Sequence, residues 1–286
     1  MTDLTRLHIV ITRPRAQAEL WAARLRDLGA TASVASLLEI VPVSETAQIQ
    51  AVKNCILNLD VYCKAIFVSQ NAVENAFEWI ENYWPQLPIG LDFFAVGETT
   101  AKQLQVRGAK VTDLAQAQTG AMTSETLLQS PALQQVADEK IVIFRGLGGR
   151  PHIGEVLSAR GAQVSYCELY ERVLPAESAQ KIAAILSPLS SKALLSNTSP
   201  IVSDSPSGDK LVLVLHSGEA LENLQKVMHS LSLDTRAIMV NIYMLVPSQR
   251  ILEVAEALGF INVFAAQNAT ETSMLQGLID LAARCK

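Results

Sequence analysis

The chain has 286 residues, 49% of them hydrophobic and only 5% aromatic, with a formal net charge of −5 and a pI near 5.5. That length suits two domains better than one, and the apolar content supplies two cores, largely aliphatic. The acidic balance argues against a nucleic-acid surface, which needs clustered Lys and Arg, but leaves room for a small anion held by a few local donors.

In chain order, short β-branched or aliphatic runs alternate with longer amphipathic segments. Strands are predicted at 7–11, 65–68, 93–96, 141–144, 211–215 and 238–246. Such near-continuous apolar runs suit parallel strands covered on both faces. Helical spacing follows at 16–28, 71–80, 100–107 and 248–258, and Gly29, Gly108, Gly161 and Gly259 stand where helix C-termini want glycine. The segment 195–210, LSNTSPIVSDSPSGDK, reads as a surface loop. The four cysteines, Cys55, Cys63, Cys167 and Cys285, lack metal-ligand spacing and read as reduced, inert thiols. The N-terminus meets Arg13 with no long apolar run before it, unlike a signal peptide. The greasiest stretch, 237–247, is too short to cross a bilayer. A cytoplasmic protein without membrane contact is expected.

The two halves follow one plan. Residues 9–41 align without a gap on 141–173, pairing Arg13 with Arg145, Gly29 with Gly161, Leu37 with Leu169 and Glu39 with Glu171. Residues 69–75 match 217–223, and 93–108 resemble 242–259. Ser124-Glu125-Thr126 resembles Thr270-Glu271-Thr272, each predicted to open a helix through an N-cap hydroxyl. The unit that opens the chain recurs last in the middle block. The simplest construction therefore joins 1–38 with 175–286 as one domain and makes 42–170 the other. Segments 39–43 and 169–175 would then be two connector strands. The expected fold is α/β: two similar open parallel-sheet, flavodoxin-like domains joined by a two-stranded connector, with a cleft that hinge motion opens and closes.

Candidate chemistry lies where strands end and helices begin, because helix N-termini there offer unpaired N–H groups and partial positive charge to anions. These turns supply Arg13; Ser69, Gln70 and Asn71; Gly97, Thr99 and Thr100; Arg145 and Gly146; Ser217 and Gly218; and Ser248. For each hydroxyl, plain helix capping is the alternative, and an Arg at a strand end often only ties down a local loop. The 145–150 turn, RGLGGR, lacks the full dinucleotide register, and no phosphate-loop motif occurs. His8, His152, His216 and His229 are dispersed; His8 reads as structural, and only His216, at a strand end beside Ser217, stays a weak candidate. At the matched crossings, Leu38 in one copy is Tyr170 in the other. A phenol there can donate a hydrogen bond or act as a general acid, the alternative being a packing Tyr with a wet hydroxyl.

Taken together, IVITRP (9–14), LGA (28–30), FVSQNAV (67–73), FAVGETTA (94–101), IFRGLGGR (143–150), LYER (169–172), HSGEALENL (216–224) and ATETSML (269–275) resemble the uroporphyrinogen-III synthase family, in its proteobacterial form. The resemblance spans nearly the whole chain. It implies a lyase of heme and tetrapyrrole biosynthesis that closes linear hydroxymethylbilane into uroporphyrinogen III, losing water and inverting ring D. No cofactor or metal is implied. The substrate carries eight carboxylates, and a transient hand-over from hydroxymethylbilane synthase to a monomeric enzyme is expected. Carried over by position, Tyr170 assists loss of the hydroxyl, while Ser69, Ser217, Thr99 and Thr100 are hydroxyls of the substrate-facing turns. Pro247-Ser248-Gln249 departs from the family pattern, leaving Ser248 as the hydroxyl and Gln249 doubtful. The rival reading is a non-catalytic two-domain binding protein for a small polyanion, since hinged α/β architecture alone does not separate the two. A nucleotide-dependent transferase is disfavoured by the missing phosphate loop.

Overall fold

The computed structural model describes residues 4–112, 123–192, 210–231 and 234–284. In chain order it begins β1 (Leu7–Ile11), α1 (Arg15–Asp27), β2 (Thr31–Val34), β3 (Glu39–Pro42) and α2 (Thr46–Leu57). There follow β4 (Lys64–Phe67), α3 (Gln70–Tyr83), β5 (Asp92–Ala95), α4 (Glu98–Val106), α5 (Ser124–Leu127) and β6 (Lys140–Gly146). Next come α6 (His152–Ala159), β7 (Gln163–Val173), α7 (Ser178–Lys192), β8 (Lys210–Val214) and α8 (Gly218–Ser230). The chain ends with α9 (Thr235–Asn241), β9 (Tyr243–Val246), α10 (Gln249–Ala257), β10 (Asn262–Ala265) and α11 (Glu271–Arg284).

The chain divides into two compact units, Met1–Glu39 with Val173–Lys286, and Ile40–Arg172. It passes from one to the other within β3 and again within β7. These two strands are neighbours in the second unit's sheet, and the Val43 amide donates to the Leu169 carbonyl at 3.1 Å.

The first unit holds a sheet of order β10-β9-β8-β1-β2 with parallel pairing throughout. Its apolar runs are continuous because alternate residues serve different cores. Ile9, Ile11, Val212, Val214 and Leu245 pack with Trp21, Met274 and Leu278 of α1 and α11. Val10, Leu211, Leu213, Met244 and Val246 face the other way, onto Ile182, Leu186, Leu221 and Leu224 of α7 and α8.

The second unit repeats the scheme with order β3-β7-β6-β4-β5. Ala65, Phe67, Val142 and Phe144 face Val52, Ile56, Val73 and Phe77 of α2 and α3. Ile66, Phe94, Ile141 and Ile143 face Leu127, Leu133, Ile153 and Leu157 on the opposite side. Beyond β5, Val111 makes one parallel bridge to Phe93. The sequence duplication thus reappears as topology: β2-β1-β8-β9-β10 in one unit corresponds to β7-β6-β4-β5 and Val111 in the other. In both, the chain leaves the two central strands toward opposite edges, the switch point where open α/β sheets bind ligands.

Two expectations are corrected. The apolar run 238–246 is not one strand: its first part belongs to α9, opened by Asp234, whose carboxylate accepts from the Ala237 amide at 3.1 Å. The cap of α5 is Thr123, accepting from the Thr126 amide, and not Ser124. Strands β2 and β10 were not predicted. The copy at Thr270 does cap its helix, accepting from the Ser273 amide at 3.4 Å. Gly29 and Gly161 end the matched helices at φ values of 91° and 90°, the left-handed region that favours glycine. Apart from Lys210, the predicted loop 195–210 lies outside the described residues, as does Cys285.

Candidate functional site

In the second unit the switch point lies between the carboxyl ends of β4 and β6. Ser69 follows β4 as N-cap of α3, its Oγ accepting from the Ala72 amide at 3.1 Å. On the other flank, the β6–β7 register shifts: Arg145 stands opposite Glu168, but Gly146 stands opposite Tyr170. Leu169 is the extra residue, and the bulge has a direct consequence. Strict alternation would put Leu169 and Tyr170 on opposite faces; here both enter the core formed with α2 and α3. The Tyr170 ring is fully buried and lies against Gly146, where an added Cβ would stand 2.6 Å from Cε2. Its hydroxyl ends 3.0 Å from Ser69 Oγ. Tyr170 is therefore buried more deeply than either sequence reading expected, and its hydroxyl has a defined partner in Ser69.

Tyr170 and Gly146 form part of the wall of a cavity of about 510 Å³ within this unit, together with Val68, Arg145, Arg150 and Arg172. Arg145, only 8% exposed, is committed inside the protein. Its Nη2 is 3.0 Å from Glu168 Oε1, its Nη1 donates to the Arg150 carbonyl at 3.4 Å, and its guanidinium lies 4.2 Å from the Tyr166 ring centre. These bonds tie down the turn that follows β6, and Arg145 still lines the cavity. Arg150, Arg172 and His152 also line the cavity. Sequence reasoning passed over the first two and singled out no role for His152. Position after a glycine-rich turn was the only available signal for Arg150.

The glycine-rich turn spends its amides on bonds within the protein. The Leu147 amide donates to the Tyr170 carbonyl at 2.8 Å and the Gly149 amide to the Gly146 carbonyl at 3.2 Å. The Gly148 amide donates to Glu168 Oε1 at 3.2 Å. A nucleotide loop needs such amides free for the ligand.

The remaining turn residues of this unit separate by exposure. Gln70 and Thr99 are exposed, and Asn71 and Gly97 are partly so. Thr100 is only 2% exposed, the least accessible of these turn residues. Gly97 caps α4 at a φ of 94°.

The first unit's switch point joins the ends of β1 and β8, where Thr12 Oγ1 donates to the Val214 carbonyl at 2.8 Å. Arg13 pairs with Glu271 at 3.1 Å, and Arg24 reaches the same carboxylate at 2.9 Å. The two duplicated arginines thus share one habit, an acid partner within their own unit. Ser217 caps α8 through the Ala220 amide at 3.1 Å, the same bond that Ser69 makes; Gly218 follows it, partly exposed. Ser248 occupies the cap position of α10 but makes no side-chain cap bond, so its hydroxyl differs from the other two. His216 lies edge-on to Trp21 at 5.2 Å between ring centres. Neither ring nitrogen has a partner among the described residues. Burial, helped by the Arg13 charge, lowers its pKa to about 3, so the imidazole is neutral at ordinary pH and a poor candidate for proton transfer. His8 is structural, its Nε2 hydrogen-bonded to Ser33 Oγ at 2.8 Å. No group of three or more His, Cys, Asp or Glu able to hold a metal occurs among the described residues.

Residues 19–276 match the family model described as uroporphyrinogen-III synthase HemD. The chain belongs to the uroporphyrinogen-III synthase family. The Escherichia coli (strain K12) uroporphyrinogen-III synthase is 30% identical over 280 residues, covering 95% of this chain and all of that protein. The Salmonella typhimurium enzyme is also 30% identical, over 273 residues, again with 95% of this chain and all of its own length aligned. Among solved structures, a mutant uroporphyrinogen III synthase from the extremely thermophilic bacterium Thermus thermophilus aligns with a TM-score of 0.57 at 16% identity, covering 98% of this chain and all of that one. The Helicobacter pylori 26695 uroporphyrinogen-III synthetase gives 0.56 at 15% identity over 98% of this chain and all of its own. At those identities the structural likeness is one of fold. Among the described residues no helix is long and apolar enough to cross a membrane.

Proposed function

We propose that the chain performs the reaction of its family, closing hydroxymethylbilane to uroporphyrinogen III with loss of water and inversion of ring D. The observation that carries this reading is the match of the uroporphyrinogen-III synthase model over residues 19–276. A phenol at the wall of the second unit's switch-point cavity supports it. The chemistry asks mainly for orientation. The pyrrole nitrogen pushes out the hydroxyl of its own hydroxymethyl arm; that hydroxyl takes a proton and leaves as water, and the pyrrole N–H gives one up. The resulting electrophile is attacked by the substituted carbon of ring D, giving a spiro intermediate. The bond from that carbon to its original methylene bridge then breaks. The methylene electrophile so formed on ring C is captured by the unsubstituted α-carbon of ring D, which gives up its proton as the pyrroles are restored. Tyr170 supplies the hydrogen bond to the departing oxygen.

Eight carboxylates have to be neutralised or solvated. Arg145, Arg150 and Arg172 line the cavity and are the cations proposed for them there. Thr99, Gln70, Asn71 and the Gly97 turn in one unit, and Arg13, Ser217, Gly218 and Ser248 in the other, are the further contacts proposed for the substrate, with Arg13 weakened by its bond to Glu271. A monomeric, cytoplasmic enzyme that receives its labile substrate from hydroxymethylbilane synthase completes the reading. The test against a polyanion-binding protein is turnover. Protein at one-hundredth of the concentration of fresh hydroxymethylbilane is expected to convert all of it to isomer III faster than spontaneous closure. Conversion limited to one equivalent, or none, favours the binder.

A further inference from the structure

Ser69 and Ser217 occupy matched positions and make the same cap bond at the same 3.1 Å. Their surroundings differ in one respect. Ser69 Oγ is also 3.0 Å from Tyr170 Oη, whereas the position matched to Tyr170 in the other copy is Leu38. The second bond of Ser69 thus accompanies the phenol and is not part of the cap.

We infer that Ser69 is a positioning residue for Tyr170, holding the phenolic oxygen as an acceptor so that the phenolic hydrogen is left to point into the cavity; the inference rests on the proposed role of Tyr170 in ring closure. A serine hydroxyl has one hydrogen and two lone pairs. The Ala72 amide occupies one lone pair, and it does so from the N-terminus of a fourteen-residue helix, α3. A hydroxyl that accepts such a bond becomes a better donor. Its hydrogen is therefore directed to Tyr170 Oη, and the phenol keeps its own hydrogen for the cavity that Tyr170 lines. The opposite arrangement, with Tyr170 donating to Ser69, would turn the only phenolic hydrogen away from substrate. Gly146 fixes the ring from the other side, since its hydrogen leaves room that a methyl group would fill. Two contacts thus determine the phenol: Gly146 sets the ring plane and Ser69 sets the hydroxyl rotor. Ser69, expected from sequence to touch the substrate, acts instead through its neighbour.

The experiment is a double-mutant cycle on ring closure, with hydroxymethylbilane as substrate and kcat and KM measured separately. Ser69→Ala is expected to lower kcat about tenfold with KM nearly unchanged. Ser69→Gly, which keeps α3 nearly as well capped, is expected to match the alanine variant. Ser69→Thr, which restores a hydroxyl, is expected to recover most of the rate. In the Tyr170→Phe background, Ser69→Ala is expected to cause no further loss of kcat. An equal loss in both backgrounds, or a change confined to KM, overturns the inference and returns Ser69 to direct substrate contact. Unchanged kcat in Ser69→Ala while Tyr170→Phe is slow overturns it as well. Unchanged turnover in Tyr170→Phe removes the reading beneath it, and the inference falls with that reading.

Discussion

Gly146 shows how much one missing methyl group can decide. Its Cβ position lies 2.6 Å from Tyr170 Cε2 and 3.0 Å from Cζ, and the ring, fully buried, has nowhere to retreat. Gly146→Ala is expected to destabilise the protein by roughly 1–3 kcal/mol, the usual penalty of overpacking, and to slow ring closure because the phenol is displaced. Gly218 is the contrast: nothing lies within 4 Å of its Cβ position, and it starts a helix. Gly218→Ala is expected to leave stability unchanged or raise it slightly. Thermal unfolding of the two variants checks both statements. His216 offers a second test at this scale. Its folded pKa of about 3 lies below the ordinary value of about 6.5. Above pH 6.5 both folded and unfolded states hold it neutral, and it adds no pH dependence. Between about 6.5 and about 3 only the unfolded chain takes the proton, so stability falls as the pH falls, approaching about 1.4 kcal/mol per unit. Denaturant titrations across that window are expected to show a shallower acid loss in His216→Leu than in the parent; parallel curves contradict the assignment.

At the scale of the element, the helix caps at Ser69 and Ser217 are equivalent in geometry and not in context. Ser217→Ala removes one hydrogen bond to the Ala220 amide and is expected to cost about 1 kcal/mol, readable as a lower denaturation midpoint with unchanged slope. The same scale shows what could be read from the sequence. The strands β1, β4, β5, β6 and β8 were legible because residues such as Val10 and Ile11 are buried on opposite faces, and two-sided burial writes an unbroken apolar run. The run 238–246 was misread for the same reason: a buried helix turn and a buried strand look alike without a polar residue to mark the period. Asp234 was the available signal for α9, standing just before it as a cap. Tyr170 stood out through the comparison of the two copies and through the family resemblance. Its burial was not legible, because that depends on the bulge at Leu169, which no local residue preference announces. The Arg145–Glu168 pair was not legible because Glu168 comes from the neighbouring strand, a pairing fixed by register and not by spacing.

At the scale of the whole molecule, one plan is used twice in one chain, and the two units divide it at Glu39–Ile40 and Arg172–Val173. Four strands correspond in order between the two sheets, with the Val111 bridge in the place of β10 and β3 added at the edge of the second, though the second unit visits them in a different sequence. Symmetry of fold does not extend to chemistry. The cavity, the register shift and the phenol belong to the second unit, while the matched turn of the first holds a neutral imidazole beside Trp21, without a hydrogen-bond partner among the described residues. The central claim is that the chain directs ring D to attack through its substituted carbon. It is tested most directly by separating the uroporphyrinogen isomers formed when freshly prepared hydroxymethylbilane is incubated with and without the protein. The account predicts isomer III as nearly the whole product with protein present and isomer I without it; isomer I in both contradicts it.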